Sequence, residues 1–249
     1  VAAIGGMLVP AIIYVTINMS HGTLSGFGIP MATDIAFSIT MLTLVSNRIP
    51  PSLKVFLTAL AIIDDLGAII VIALFYTHQF SILFFIISLF LILLLYMFNQ
   101  IGYQYLNLYL LFGVFLWFCL YKTGIHPTIT GVILAFVIPF NKNPQRSLSH
   151  KLQNKLHAPV TYVILPLFVL ANTGIIISQN SYGQIFTVNS IGIILGLVVG
   201  KPLGITLFSF LAIKFKICQM FSNLTFKHIF GAGLLAGIGF TMAIFLSNL

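Results

Sequence analysis

Four ionisable side chains lie near the centres of long apolar segments of the sequence: Asp34, Asp64, Asp65 and Lys201. The three aspartates are all the acidic residues of the 249-residue chain. An ionised side chain at the centre of a membrane helix costs about 2.5 to 3.5 kcal/mol, so such residues usually have a function. Buried ion pairs that only join helices are the structural alternative. Three carboxylates against one ammonium leave negative charge, which a bound cation or proton would neutralise.

Asp64 and Asp65 are neighbours in the sequence, so on an α-helix their side chains point about 100° apart. They can line one cavity without sharing a hydrogen bond, with one facing Lys201 and the other facing water. Their protonation should be coupled and should belong to the pair rather than to either residue. A carboxylate in this position can exchange a proton for a hard monovalent cation.

The composition requires a membrane environment, because 59% of the residues are hydrophobic and only 6% are charged. About a quarter of the residues of a soluble domain are charged. Apolar runs of about 20 residues can cross a roughly 30 Å hydrocarbon core as helices, and long continuous runs favour helices over barrel strands. The sequence predicts an all-α, polytopic membrane helical bundle, a single domain over residues 1–249. Its nine predicted spans are 1–18, 22–45, 51–76, 80–98, 105–122, 124–140, 157–178, 189–213 and 228–248.

Basic residues in the loops predict the orientation of the chain. The loops after the second, sixth and eighth predicted spans are basic, and the positive-inside rule assigns that face to the cytoplasm. The residues are Arg48, Lys54, Lys142, Arg146, Lys151, Lys155, Lys214, Lys216 and Lys227. A net charge of +8 could also indicate nucleic-acid binding, but single charges in short loops between apolar spans favour the membrane interpretation. We therefore expect no nucleic-acid partner.

The second and ninth predicted spans contain residues that interrupt helices. Residues 22–34 include three glycines and Pro30, which frees a backbone carbonyl. Residues 231–241 have a small-xxx-small pattern, which close helix packing would also explain. If both spans unwind in the membrane, the half-helix ends leave partial charges in lipid that Asp34 and Lys201 could compensate.

The histidines and cysteines give weaker evidence of function than the aspartates and Lys201. His126 precedes a proline and could relay protons, although packed or interfacial histidines share this pattern. His157 lies in a polar linker, 141–157, and could respond to pH because the reference pKa of histidine is near 6.5, although solvated loop histidines are common. Cys119 and Cys218 are far apart, without metal-ligand spacing, and are predicted to be free thiols.

Several motifs are similar, in sequence and in order, to those of the NhaA family of sodium/proton antiporters. They are Ile4–Ala11, Ala32–Phe37, Ala59–Ala68, Gly124–His126, Leu165–Phe168, Ala171–Gly174, Gly200–Gly204 and Gly237–Thr241. The resemblance runs along the whole chain. It implies a twelve-helix fold with inverted repeats, in which the second and ninth spans found here are interrupted helices that cross near the ion site. It also implies that the family's first two helices and its last helix are absent from this chain.

The resemblance further implies the function and the site residues. Asp64 and Asp65 match the pair that binds Na⁺ or Li⁺ and protons, and Lys201 matches the buried lysine that pairs with the first of them. The unwound crossing is matched by Thr33, Asp34, Gly237 and Gly239. His126 and His157 stay candidates for a pH response, although the polar linker lacks the acidic residues that family members often carry there.

The same resemblance implies a multi-pass antiporter of the bacterial inner membrane that regulates intracellular pH and Na⁺. It would be no enzyme and need no cofactor, and its partners would be the transported ions, membrane lipid and a second copy in a homodimer. An intramembrane aspartyl protease is the main rival from another class, because two buried aspartates can share a proton. That chemistry needs facing carboxylates in a Gly-x-Gly-Asp context, which this sequence lacks, and has no use for Lys201. A truncated, inactive remnant of an antiporter is a further alternative.

Overall fold

The computed structural model describes residues 1–20, 23–44, 49–75, 80–141, 143, 147–172, 187–221 and 223–247. These residues form helices and no strands, which confirms the predicted all-α membrane bundle. In lipid a helix satisfies its own backbone hydrogen bonds. The helices are α1 (Ala2–Asn18), the 3₁₀ segment η1 (Leu24–Met31), α2 (Ile35–Leu44), α3 (Pro51–Phe75), α4 (Ile82–Gln100), α5 (Leu106–Thr123), α6 (Ile129–Val137), α7 (Leu148–Pro159), α8 (Leu165–Asn172), α9 (Val188–Leu195), α10 (Lys201–Lys214), α11 (Phe226–Ala236) and α12 (Phe240–Ser247).

Most of the predicted spans correspond to long apolar helices. Within the described ranges six helical stretches are long and apolar enough to cross a membrane, and α11 with α12 makes a seventh if the pair is one bent span. The apolar helix α1 is slightly shorter, with 17 residues. The sixth predicted span, 124–140, differs, because α6 has only 9 residues. That is about 13 Å of helix, too little for a roughly 30 Å core.

The chain divides into two compact units, Val1–Ala68 with Asn172–Leu249 and Ile69–Ala171. In the first unit α1 lies against α9, α10 and η1, while α10 packs on α11 and α12 packs on η1. Its apolar core consists of Ala3, Leu42, Leu53, Leu57, Leu60, Ile205, Leu224, Ile229, Ala232 and Ala236.

Four glycines at intervals of four residues, from Gly192 to Gly204, let α9 and α10 approach α1 closely. A Cβ atom at Gly204 would lie 2.2 Å from the carbonyl oxygen of Gly5, and one at Gly200 would lie 2.9 Å from Cα of Pro10. No side chain fits in either place. Because lipid provides no hydrophobic drive between helices, their association depends on such close contact.

Two wide turns of π-helix interrupt the α-helical path, at Val160–Ile164 and at Gly196–Gly200. Each ends two residues before a proline, Pro166 or Pro202. Proline has no N–H, and its ring meets the carbonyl four residues earlier in an ideal α-helix, so a wider turn lets the helix continue. In the second case the N–H of Lys201 donates to the carbonyl of Gly196, five residues back. Lys201 is thus the first residue after a widened turn.

In the second unit, α4, α5 and α6 pack around a core of Leu95, Tyr109, Leu116, Leu120, Val137, Ile138 and Leu148. The side chain of Asn99 donates to the carbonyl of Val137 at 2.9 Å, at the end of α6. α7 continues through its π-turn into α8. The predicted linker 141–157 therefore becomes helical at Leu148, and His157 lies within α7.

Candidate functional site

α3 places Asp64 and Asp65 about midway along its 25 residues. Asp64 is fully buried and Asp65 is half-buried. The Oδ1 atom of each is buried and accepts no hydrogen bond from any residue that the structure describes. Buried polar atoms are nearly always hydrogen-bonded. Two unpaired carboxylate oxygens in adjacent residues therefore indicate a place for a ligand that the described part of the chain does not supply.

Thr33 links Asp64 to Lys201. Its hydroxyl donates to Oδ2 of Asp64 at 2.9 Å and accepts a hydrogen bond from Nζ of Lys201. Nζ lies 3.4 Å from the same Oδ2 atom, and all three side chains are fully buried. The ammonium neutralises Asp64, because a buried charge is tolerated only when it is paired and hydrogen-bonded.

The local backbone explains how Thr33 and Lys201 reach Asp64. Pro30 lies near the end of η1, and Ala32 that follows has extended backbone, with φ −71° and ψ 147°. This non-helical stretch presents Thr33 in the interior, where a helix would have continued. Lys201 follows the widened turn before Pro202, on a helix held against α1 by its glycines.

Asp34 has a different environment, because backbone N–H groups surround its carboxylate. Oδ1 accepts the N–H of Phe37 at 3.0 Å, and Oδ2 accepts the N–H of Thr241 at 3.1 Å together with the Thr241 hydroxyl. These N–H groups belong to the first turns of α2 and α12, where helix dipoles favour negative charge. Asp34 thus accepts hydrogen bonds from two helix N-termini at once.

The break in the ninth predicted span runs from Gly237 to Gly239, between α11 and α12, which are bent by 44°. The N–H of Asp34 donates to the carbonyl of Ile238 at 2.7 Å. A Cβ atom at Gly237 would lie 2.5 Å from the carbonyl oxygen of Leu197. Glycine is therefore required at Gly237 by this close approach of two backbones, and both interrupted helices of the prediction are present.

Two contributing residues were not predicted from the sequence. Thr241 binds Asp34 with its amide and its hydroxyl, and the hydroxyl of Ser38 donates to the carbonyl of Leu235 at 2.7 Å, in the last turn of α11. Lys201 was expected to compensate the partial charge of a half-helix end, but its described contacts are with Thr33 and Asp64. At the carboxyl end of α11 the hydrogen-bond donor is Ser38 instead. The position of Thr241 just after a Gly-x-Gly break is the signal that could have indicated its capping role.

His126 and His157 belong to the second unit, whereas the aspartates and Lys201 belong to the first. Nδ1 of His126 lies 2.9 Å from the hydroxyl oxygen of Thr128, in the turn before α6. Partial burial lowers the pKa of His126 below its ordinary value near 6.5. His157 is exposed in the last turn of α7. Their predicted part in a pH response stays a prediction.

The charges of the first unit give the chemistry of the site. Asp34 is stabilised by helix N-termini and Asp64 by Lys201. Asp65 has no ion-pair partner among the described residues, and one oxygen of each member of the pair is free. Such a centre can take up either a proton or a dehydrated monovalent cation, since both neutralise a buried carboxylate.

The fold and the site define a polytopic α-helical membrane protein in which two interrupted helices meet beside a buried carboxylate and ammonium centre. A family model described as Na⁺/H⁺ antiporter 1 matches residues 1–249. The chain belongs to this family. It is 53% identical to a Na⁺/H⁺ antiporter NhaA of Dechloromonas aromatica, over 100% of this chain and 64% of that relative.

Two further relatives match over the whole of this chain as well. Identity is 52% with Na⁺/H⁺ antiporter NhaA 1 of Flavobacterium johnsoniae, over 100% of this chain and 65% of the relative. It is 46% with the NhaA of Salmonella arizonae, over 100% and 64%. The chain therefore spans slightly less than two thirds of the length of these relatives.

Proposed function

We propose that this protein exchanges Na⁺ or Li⁺ for protons across the cytoplasmic membrane of a bacterium. The observation that carries the proposal is the pair of buried, unpartnered oxygens on Asp64 and Asp65 beside Lys201. The names of the bacterial relatives, all Na⁺/H⁺ antiporters, support it. Exchange of this kind would regulate intracellular pH and Na⁺.

Competition for the same carboxylates couples the two ions. Without a cation, protons neutralise the pair together with Lys201. An arriving Na⁺ or Li⁺ takes the free oxygens of Asp64 and Asp65 and displaces a proton, since the low-dielectric interior does not tolerate the additional charge. We infer that the site faces one side of the membrane at a time. Each change between the inward-facing and the outward-facing state then carries either the cation or protons across, and net exchange follows.

The crossing of the interrupted helices supplies the polar surroundings that this exchange needs. Non-helical backbone is tolerated at this depth only inside protein or along a water-filled cavity. Asp34 stabilises the N-termini of α2 and α12, so the extended Thr33 segment can stay beside Asp64. Asp34 thus acts on the backbone, while Asp64 and Asp65 bind the transported ions.

The proposal requires no cofactor and no enzymatic reaction, and the surrounding partner is lipid. A homodimer stays a prediction of the family resemblance. An aspartyl protease finds less support, because Asp64 is bound to Lys201 and Thr33 while the carboxylate of Asp34 is occupied by two helix N-termini. No two carboxylates of the described residues face each other through a shared hydrogen bond.

Exchange in inside-out membrane vesicles tests the proposal. Respiration acidifies the vesicles, and addition of Na⁺ or Li⁺ should dissipate the pH gradient, whereas K⁺ should have little effect. Asp65→Asn should abolish the response, because an amide carries neither the exchanged proton nor the negative charge. Ser88→Ala is the control, since Ser88 is buried and its described hydrogen bond, to the carbonyl of Phe85, stays within α4. If correctly inserted Asp65→Asn protein exchanged ions as fast as the wild-type protein, the assignment would be overturned. If the wild-type protein itself showed no exchange, an inactive remnant would be favoured.

A further inference from the structure

A cluster of four polar side chains, Tyr14, Asn18, Thr23 and Asn189, joins three segments of the first unit. The Tyr14 hydroxyl lies 2.5 Å from Oδ1 of Asn189 and 2.7 Å from the carbonyl oxygen of Thr23. The Thr23 hydroxyl donates to Oδ1 of Asn18 at 3.0 Å, and the Asn18 amide donates to the carbonyl of Tyr14 at 3.0 Å. Tyr14 and Asn18 are fully buried. The cluster therefore fastens the end of α1 to the starts of η1 and α9.

The cluster lies at the end of the unit opposite to Lys54, Lys214 and Lys227. Val1 and Ala2, at the opposite end of α1, share a cavity with Phe56 of α3, Ala212 of α10 and Ile229 of α11. That end carries Lys54, Lys214 and Lys227, and the positive-inside rule assigns it to the cytoplasm. The polar cluster is then at the outer face.

The two segments fastened to α1 by the cluster lead directly to the ion site. The chain from Thr23 runs through η1 to Thr33, and the chain from Asn189 runs through α9 and its π-turn to Lys201. Thr33 and Lys201 meet again at Asp64. The cluster and the ion site are thus two junctions of the same segments, one at the outer face and one at mid-membrane.

The cluster also fills the space between these segments. A Cβ atom at Gly26 would lie 2.3 Å from the Tyr14 hydroxyl, and one at Gly192 would lie 2.4 Å from the amide nitrogen of Asn18. The polar side chains therefore occupy the room that glycines leave at this end. Neutral hydrogen bonds separate easily when water can replace them, whereas an apolar seal exposes hydrocarbon on opening.

We propose that this cluster is an outer latch, which closes the route from the outer face to the ion site and separates when the site faces outward. The inference rests on the proposed exchange function. In the closed state Tyr14 holds η1 and α9 against α1. In the outward-facing state the segments part at this end, and water takes the hydrogen bonds of Tyr14, Asn18 and Asn189. Tyr14 is a positioning residue that sets the balance between the two states and does not touch the ion.

Tyr14→Phe tests the latch, because it removes the hydroxyl and keeps the ring. The apparent KM for Na⁺ should fall by up to about fivefold at the outer face, the effect of one net hydrogen bond, and rise at the inner face, because the outward-facing fraction grows. Right-side-out vesicles report the outer KM and inside-out vesicles report the inner KM. Tyr109→Phe is the matched control, since Tyr109 is equally buried and bonds a backbone carbonyl in the second unit at 3.2 Å.

Opposite shifts in the two vesicle types support the latch. Shifts in the same direction, as general loosening of the fold would produce, or no shift at all, would overturn it. If Tyr14→Phe protein fails to insert, Asn189→Ala serves instead, because Asn189 is only half-buried in the first turn of α9. Absence of exchange in wild-type vesicles would contradict the proposed function, which is a separate outcome.

Discussion

At the scale of single residues, the ammonium of Lys201 makes two polar contacts, and their effect on stability can be measured with one substitution. Its ammonium pairs with Asp64 at 3.4 Å and donates to Thr33, and the side chain is completely enclosed. Without it, Asp64 keeps only the Thr33 hydroxyl as a described partner. A lysine in this environment stabilises the fold, and under the proposed exchange it would also set how strongly Asp64 attracts a cation.

Lys201→Ala should lower the free energy of unfolding by about 3 to 5 kcal/mol, because it leaves a buried carboxylate without its counter-charge. Thermal unfolding of detergent-purified protein measures the change. Lys122→Ala is the control, since Lys122 is exposed on α5 with its Nζ 5.8 Å from the ring centroid of Phe118, and it should be nearly neutral. Equal stability of the Lys201 variant and wild type would show that the ion pair makes no net contribution.

At the scale of elements, the packing of α9 and α10 on α1 depends on glycines, and the position of Lys201 depends on that packing. Gly200→Ala brings a methyl group 2.9 Å from Cα of Pro10, so we expect a loss of about 1 to 3 kcal/mol in the free energy of unfolding, typical of overpacking. Exchange activity should fall as well, because Lys201 is the next residue.

The control for Gly200→Ala is Gly231→Ala in α11, where no described atom outside the adjacent backbone of the same helix lies within 4 Å of the added methyl group. Alanine is a better helix former than glycine by up to about 1 kcal/mol, so this variant should be as stable as wild type or more stable. Unfolding curves of both variants measure the contrast. A Gly200→Ala protein as stable as the Gly231→Ala protein would show that α1 and α10 can separate without loss.

Some of these structural elements could be predicted from the sequence, and others could not. Pro30 and the glycines of the ninth span predicted both interruptions, because those residue types disfavour helix wherever they stand. The bridge from Thr33 to Asp64 and the cap from Thr241 to Asp34 join residues 31 and 207 positions apart, and local patterns hold no information about such pairings. The short α6 was missed because the run from Gly124 to Phe140 is apolar enough to span, while its first five residues form no α-helix.

At the scale of the whole molecule, the orientation of the chain can be tested with its own cysteines. Cys218 is exposed in the basic segment after α10, and Cys119 is buried in α5. A membrane-impermeant maleimide should label Cys218 in inside-out vesicles and leave it unlabelled in right-side-out vesicles, because basic loops face the cytoplasm. Cys218→Ser should remove the label. Labelling from the outer side would reverse the orientation and with it the placement of the latch.

The hydrogen bonds between Asp34 and the residues around Gly239 also concern the order in which the protein is made. Thr241, which donates two hydrogen bonds to Asp34, leaves the ribosome 207 residues after it, or about 10 to 40 s later at 5 to 20 residues per second. During that interval the second span lacks the N–H and hydroxyl groups of Thr241, which bind the Asp34 carboxylate in the finished fold. The insertion machinery, or water at the membrane surface, must shelter this span until the ninth arrives. We therefore expect the two breaks to form together, as one late step in the biogenesis of the protein.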